Sequence, residues 1–373
     1  MSVQKNNKMS KRNEVQKEAL EMAVKHKHCG LGISMGVGKT LIGLRYVDHF
    51  QKEKDGNLKV LVAAPKVSIF ETWKAEGKKH GISTDNIEFT TYLSLNKLTP
   101  SHYDIVILDE CHSLLYSHEI FLSQFTGRIL GLSGTPPRYH KSEKGQMVFK
   151  YCPIMYTYIT DDAVDDNILN DYRIIVHRLS LDERLIMPVK TKNNTTFYTS
   201  EKKTYDYWTK RFMTAGSKKE EQITAVMRMK SMMDFRSKEV YTKTLLDEIE
   251  DKCLAFCNTQ AQADRICEHS IHSENPKADE NLVKFKNDEI TKASCVLQLN
   301  EGVNIPNLRA AVIMHAYGNE RKSNQRIGRL LRLNPDDTAV IHVLCYKDTV
   351  DERWVAEALK DLDPKKIKYH DVT

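Results

Sequence analysis

At 373 residues the chain is too long for one ordinary core and suits two domains of common size. Hydrophobic residues at 40% and charged residues at 28% describe a globular polypeptide. They exclude a membrane-embedded one, because no apolar run approaches the roughly 18 residues that cross a bilayer. The excess of 56 basic over 50 acidic residues, a net charge of +6, permits a polyanionic partner without requiring one.

Residues 1–10, rich in lysine and asparagine, read as a loose tail, and the stretch Met1 to Arg12 lacks the apolar segment of a secretory signal. A cytosolic location is expected, in a prokaryotic or a virus-infected cell. From Asn13 to Val24, Val15, Ala19, Leu20, Met22 and Ala23 recur at helical spacing. Gln16 falls on the polar side of that helix. It is either a solvated residue or, so close upstream of a phosphate loop, an amide able to pair with both edges of an adenine.

Gly30 to Thr40 reads Gly-Leu-Gly-Ile-Ser-Met-Gly-Val-Gly-Lys-Thr. A glycine-rich turn points backbone N–H groups at one anion, and a helix starting near Lys39 adds the positive end of its dipole. Lys39 would neutralise the outer phosphates and the Thr40 hydroxyl would ligate Mg2+. The full pattern asks for glycine where this chain has Ile33.

Beyond this loop, Leu41 to Phe50 is predicted helical, Lys59 to Ala64 a buried strand, Phe70 to Lys79 a helix and Asn86 to Thr91 a strand. Ile105 to Leu108 is a strand that ends in Asp109-Glu110-Cys111-His112. Ile129 to Leu132 is another, ending in Ser133-Gly134-Thr135-Pro136. Strands alternating with helices indicate a parallel sheet covered on both faces, where ligands gather at the carboxyl ends of the strands. Residues 161–250, with a strand candidate at Tyr172 to Leu179, read as linker and helical lead-in. The five methionines from Met213 to Met233 are expected to pack helices. Alternation resumes from Lys252: strands at Cys253 to Phe256, Ala293 to Leu299, Ala310 to Met314 and Ala339 to Leu344, and a helix over Ser323 to Leu331. The expected organisation is a tail (1–10), a first α/β domain (11–160), the connection (161–250) and a second α/β domain (251–373). The eight cysteines contain no Cys-x-x-Cys pair, so reduced, mostly buried thiols are expected rather than a zinc ribbon or a disulfide framework.

An acidic pair at a strand end, about 70 residues after Gly-Lys-Thr, is what magnesium-dependent nucleotide hydrolysis needs. Asp109 can share Mg2+ with Thr40. Glu110 is then the candidate to orient and deprotonate the attacking water, since one carboxylate cannot easily face the metal and the far side of the γ-phosphate together. Arg329 and Arg332, three apart on one helical face, supply positive charge from the second domain.

Met35 to Thr40, Asp109 to His112, Ser133 to Pro136, Glu301 to Pro306 and Gln325 to Arg332, in this order, resemble motifs I, II, III, V and VI of superfamily 2 helicases and translocases. The similarity spans roughly residues 12–350. It implies two RecA-like parallel-sheet domains in tandem with ATP in the cleft between them and a nucleic-acid strand across their tops. Gly36, Val37, Gly38, Lys39, Thr40, Gly302 and Asn304 would hold the nucleotide, Asn304 standing where many relatives carry aspartate, and Gln16 would read adenine. Relatives commonly lack the glycine that Ile33 replaces. His112, Ser133 and Thr135 would couple nucleotide state to strand binding, and Gln325, Arg329 and Arg332 would complete the site. Pro65, Lys66, Thr90, Thr91, Asn258, Thr259 and His272 would line the strand groove. Ser-Gly-Thr-Pro with Asp-Glu-Cys-His is similar to the DNA-directed branch of phage UvsW-type, type III restriction and chromatin-remodelling motors, which favours DNA over RNA. The chain reads as a minimal motor, a monomer without a wedge hairpin or added nucleic-acid module, working beside replication or recombination proteins. The alternative is an RNA-directed helicase or an ATP-gated clamp that does not unwind processively.

Overall fold

In the computed structural model the described residues are 10–53, 58–137, 140–190, 195–296, 305–316, 337–360 and 362–372. They fall into two compact units that meet in sequence between Asp171 and Tyr172.

The first unit runs α1 (Lys11–Lys25), β1 (His28–Ile33), α2 (Lys39–Glu53), β2 (Val60–Ala64), α3 (Ser68–His80), β3 (Ile87–Thr91), β4 (Ile105–Asp109), α4 (Glu119–Leu122), β5 (Arg128–Ser133), α5 (Glu143–Tyr151), β6 (Ile154–Tyr158) and α6 (Thr160–Asp165). Its six strands pair in the order β3-β2-β4-β5-β1-β6, all parallel. A parallel sheet covered on both faces needs continuous apolar strands, and β2 and β4 are buried at every residue. The register sets Ala63 beside both Thr90 and Leu108, and Leu132 beside both Leu31 and Asp109, so the carboxyl ends of five strands come out together. Leu61, Val106, Leu108, Phe121, Ile129, Met147 and Tyr151 form one packed layer of the core.

The second unit runs β7 (Asp171–Leu179), β8 (Met187–Lys190), β9 (Thr196–Thr199), α7 (Glu201–Met213), α8 (Lys218–Asp234), α9 (Arg236–Glu248), β10 (Cys253–Phe256), α10 (Gln260–Ile266), β11 (Ser270–Ile271), α11 (Ala278–Lys286), β12 (Lys292–Cys295), β13 (Ala310–Ile313), β14 (Thr338–Tyr346), α12 (Val350–Leu359) and β15 (Ile367–Val372). Seven of these strands form a sheet in the order β11-β12-β10-β13-β14-β7-β15. Residues 161–250, expected as linker and lead-in, therefore supply β7, an interior strand of this sheet, which pairs in parallel with β15. β8 and β9 stand apart as an antiparallel hairpin.

The methionine expectation is corrected in part. Met232 and Met233 are buried, but Met213 is 77% exposed and Met227 also faces solvent, because α7 and α8 pack mainly on each other. Seven of the eight cysteines are buried. No described helix is long and apolar enough to cross a membrane.

Candidate nucleotide site

Strand β1 continues to Ile33, and helix α2 begins at Lys39, so the turn that can hold an anion is residues 34–38. This explains the missing glycine. Position 33 is a fully buried strand residue whose backbone needs no positive φ. The residues that do need it are Gly36, at φ 90°, and Gly38, at φ 110°. A Cβ on Gly38 would also lie 2.5 Å from Gln16 Nε2. The Gly38 carbonyl accepts from Ile42 N at 3.1 Å, which starts α2 and leaves the preceding N–H groups for a ligand.

Gln16 is buried, not solvated, which corrects its placement on the polar side of α1. Its Nε2 donates to the Val37 carbonyl at 2.7 Å, and its Oε1 accepts from Arg45 Nη1 at 3.0 Å. The amide thus braces the anion loop from behind. Lys39 Nζ donates to the Ile33 carbonyl at 3.3 Å, and a Cβ on Gly134 would sit 3.0 Å from that ammonium. Glycine at 134 is what lets Lys39 stand against the loop after β5.

Asp109 ends β4 with its carboxylate buried. Oδ2 accepts from Trp73 Nε1 at 2.8 Å and Oδ1 from the Glu110 N–H at 3.0 Å. Burial raises its pKa above the ordinary value, while the Trp73 hydrogen bond, the Lys39 ammonium and the Glu110 N–H pull it down. Glu110 takes the left-handed conformation, φ 53° and ψ 50°, rare for a residue with a side chain. That turn swings its carboxylate out of the strand line towards His112, whose Nδ1 lies 3.3 Å from Oε2. The same His112 Nδ1 is 2.8 Å from Ser133 Oγ, and Ser133 Oγ accepts from Thr135 N at 3.1 Å. One polar path therefore runs Glu110, His112, Ser133, Thr135. The Thr135 hydroxyl is buried with no hydrogen-bond partner among the described residues.

Oxygen donors suit Mg2+: the buried Asp109 carboxylate has further lone pairs, and the Thr40 hydroxyl stands in the first turn of α2. Among the described residues no group of three or more His, Cys, Asp or Glu is placed to hold a metal. A cation here would have to be completed by phosphate and water, which is how Mg2+ is usually held.

At the carboxyl ends of β2 and β3, Pro65 is half-buried, Lys66 exposed, Thr90 buried and Thr91 half-buried. The register places Thr91 beside Ala64, so these four share one edge of the sheet. In the second unit, Thr259 caps α10 by accepting from Gln262 N, and Asn258 Nδ2 donates to Met233 Sδ. His272 is buried, with Nε2 2.8 Å from Asp264 Oδ1, so its side chain is not presented to a groove. Gly302, Asn304, Gln325, Arg329 and Arg332 lie outside the described residues. Sequence reasoning missed Trp73 and Arg45, which act through contacts between segments distant in sequence and which no motif marks. Gly134 falls inside the Ser-Gly-Thr-Pro motif, but its approach to Lys39 is visible only in the fold.

Residues 9–138 match the family model described as "Type III restriction enzyme, res subunit", and residues 236–334 match the "Helicase conserved C-terminal domain". A curated relative, "DNA 3'-5' translocase XPB2" of Sulfurisphaera tokodaii, is 22% identical over an alignment 380 positions long that covers 91% of this chain and 82% of the relative. Among solved structures, the ATP-dependent Type ISP restriction-modification enzyme LlaBIII bound to DNA aligns over 96% of this chain with a TM-score of 0.64 and 15% identity. This chain spans 31% of that enzyme's length. A putative HsdR subunit fragment of a type I restriction enzyme from Vibrio vulnificus YJ016 aligns over 96% of this chain and 68% of the fragment, with a TM-score of 0.61 and 18% identity. At these identities the structural likenesses establish the fold.

Proposed function

As a member of the superfamily 2 helicases and translocases, carrying both of their characteristic halves in order, the chain is an ATPase of the helicase class, and we propose that it uses Mg2+-ATP to move along or remodel DNA. The observation that carries this reading is the polar path from Glu110 through His112 and Ser133 to Thr135, beside Lys39 and Asp109.

In this reading the N–H groups of residues 34–38 and Lys39 bind the β- and γ-phosphates. Thr40 and Asp109 would hold Mg2+, which when bound would neutralise charge on the phosphates. Glu110 accepts the proton of the attacking water, its left-handed backbone directing the carboxylate away from Asp109. A change in what Glu110 faces alters its contact with His112, and Ser133 relays it to the loop after β5. By the resemblance, Gln325, Arg329 and Arg332 would complete the site. Pro65, Lys66, Thr90, Thr91, Asn258 and Thr259 would contact the strand. DNA is favoured over RNA because a curated relative is named a DNA translocase and LlaBIII was solved bound to DNA.

ATP turnover measured with and without DNA tests the proposal, and no hydrolysis under either condition would sink it. Glu110→Gln is expected to lower turnover at least about 100-fold while ATP binding persists, as removing a general base does. Strand-displacement and triplex-displacement assays separate a translocase from a clamp, which would hydrolyse ATP and displace neither.

A further inference from the structure

The β8–β9 hairpin has no place in the hydrolytic site, yet it carries an unusual surface. Its register pairs Pro188 with Tyr198 and Val189 with Phe197. Phe197 is 50% exposed and Tyr198 60%, and as neighbours in one strand they project to opposite faces. A two-stranded ribbon has little stability of its own, so bare aromatic groups on both faces serve something other than the core. The hairpin is nevertheless held at its foot. Met187 packs on the core of the second unit, and Ser200, just after β9, caps α7 by accepting from Lys203 N.

Charge indicates the occupant. From Met187 to Met213, β8 through α7, the sequence has six Lys or Arg and two Asp or Glu, a net +4 out of the whole chain's +6. Of the two carboxylates, Glu201 is buried and spends its oxygens on Asp182 N and on Ser237 N and Oγ, while Asp206 is paired with Lys202; of the six cations, Arg211 is paired with Glu220 of α8. Lys190 is exposed and, two residues from Pro188, shares the Tyr198 face of the ribbon. An aromatic ring and an ammonium on one exposed face match a base and its phosphate. A cleft of about 720 Å3 lies at the foot of the hairpin, but its arginines are already engaged, Arg184 with Asp182 and Arg236 with Glu239. It is the ribbon, then, that presents aromatic rings and cationic charge together.

We infer that the β8–β9 hairpin is a contact surface for single-stranded DNA, with Phe197 and Tyr198 stacking on unpaired bases and Lys190 meeting the phosphate backbone. The inference rests on the reading of the chain as a DNA motor and adds a strand contact outside the groove residues carried over by resemblance.

The test uses the full chain and a fluorescein-labelled oligothymidylate about 20 nucleotides long, longer than one ordinary site, with anisotropy read at fixed salt. Phe197→Ala with Tyr198→Ala is expected to weaken binding about tenfold or more and to raise the DNA concentration that half-stimulates ATP turnover, with DNA-free turnover unchanged. Phe197→Trp with Tyr198→Phe keeps both rings and should bind like the parent. Parental binding by the double alanine variant overturns the inference, and so does an equal loss in the ring-retaining variant, which would indicate a folding role. A parent that neither binds DNA nor is stimulated by it would instead overturn the motor reading, and the hairpin assignment with it.

Discussion

Trp73 is the residue on which the Asp109 carboxylate depends. Its indole N–H holds Asp109 Oδ2, and its ring packs so closely on α2 that a Cβ on Gly43 would lie 2.4 Å from it. Burial raises the Asp109 pKa and the indole hydrogen bond opposes that rise, so removing the donor should raise it further. Trp73→Phe should therefore move the acid limb of the turnover-against-pH profile to higher pH, and a melting curve checks that the fold is retained. The residue scale also shows where motif reading succeeds. Gly36, Gly38 and Lys39 were legible because a tight anion turn admits few residue types, and Asp109 and Glu110 because they interrupt an apolar run. Gln16 was legible as important but not as buried, since its partners Val37 and Arg45 reach it only through folding.

Among the elements, α9 is locked to β14 and α12 by one cation. Lys238 is fully buried, and its ammonium donates to the Met314 carbonyl at 2.8 Å, the Leu344 carbonyl at 3.1 Å and Asp351 Oδ2 at 2.6 Å. Asp351→Ala would leave that ammonium buried beside neutral acceptors only. It should lower stability by about 3–5 kcal/mol, measured by denaturant unfolding, as breaking a buried pair does. Several strands could be predicted closely from sequence: β10 falls on the expected residues, and β2, β4 and β5 differ by one residue at an end or two, whereas β1, β6, β11 and β15 were not foreseen. Long apolar runs bounded by polar residues announce buried parallel strands. The β8–β9 hairpin escaped because β8 is four residues long and contains Pro188, which a two-stranded edge tolerates but which argues against a strand in sequence.

For the whole molecule, acid sensitivity is built into a buried imidazole pair. In the second, His177 Nε2 lies 2.9 Å from His342 Nδ1, and the Tyr241 hydroxyl lies 2.8 Å from His177 Nδ1. Burial pushes both imidazoles down to about 4, with mutual repulsion adding for His177. Each is neutral when folded and titrates near its ordinary value of 6.5 when unfolded, so protonation favours the unfolded chain. The stability they contribute is full above pH 6.5 and is lost as pH falls through about 4. Circular-dichroism melts between these limits should show the second unit weakening steeply, and His342→Gln should flatten the fall.

The sequence by itself determined the family and the class of enzyme. The anion turn, the acidic pair and the Ser-Gly-Thr loop are local patterns, each needing particular residues at fixed short spacings, and alternating apolar runs announce two parallel sheets. Only the tertiary structure decided that Ile33 belongs to a strand, that Gln16 braces the loop, that Trp73 and Gly134 shape the surroundings of Asp109 and Lys39, and that β7 joins the second sheet. Each of these depends on contacts between residues distant in the chain, and such contacts are set by which surfaces fold against one another rather than by any local preference.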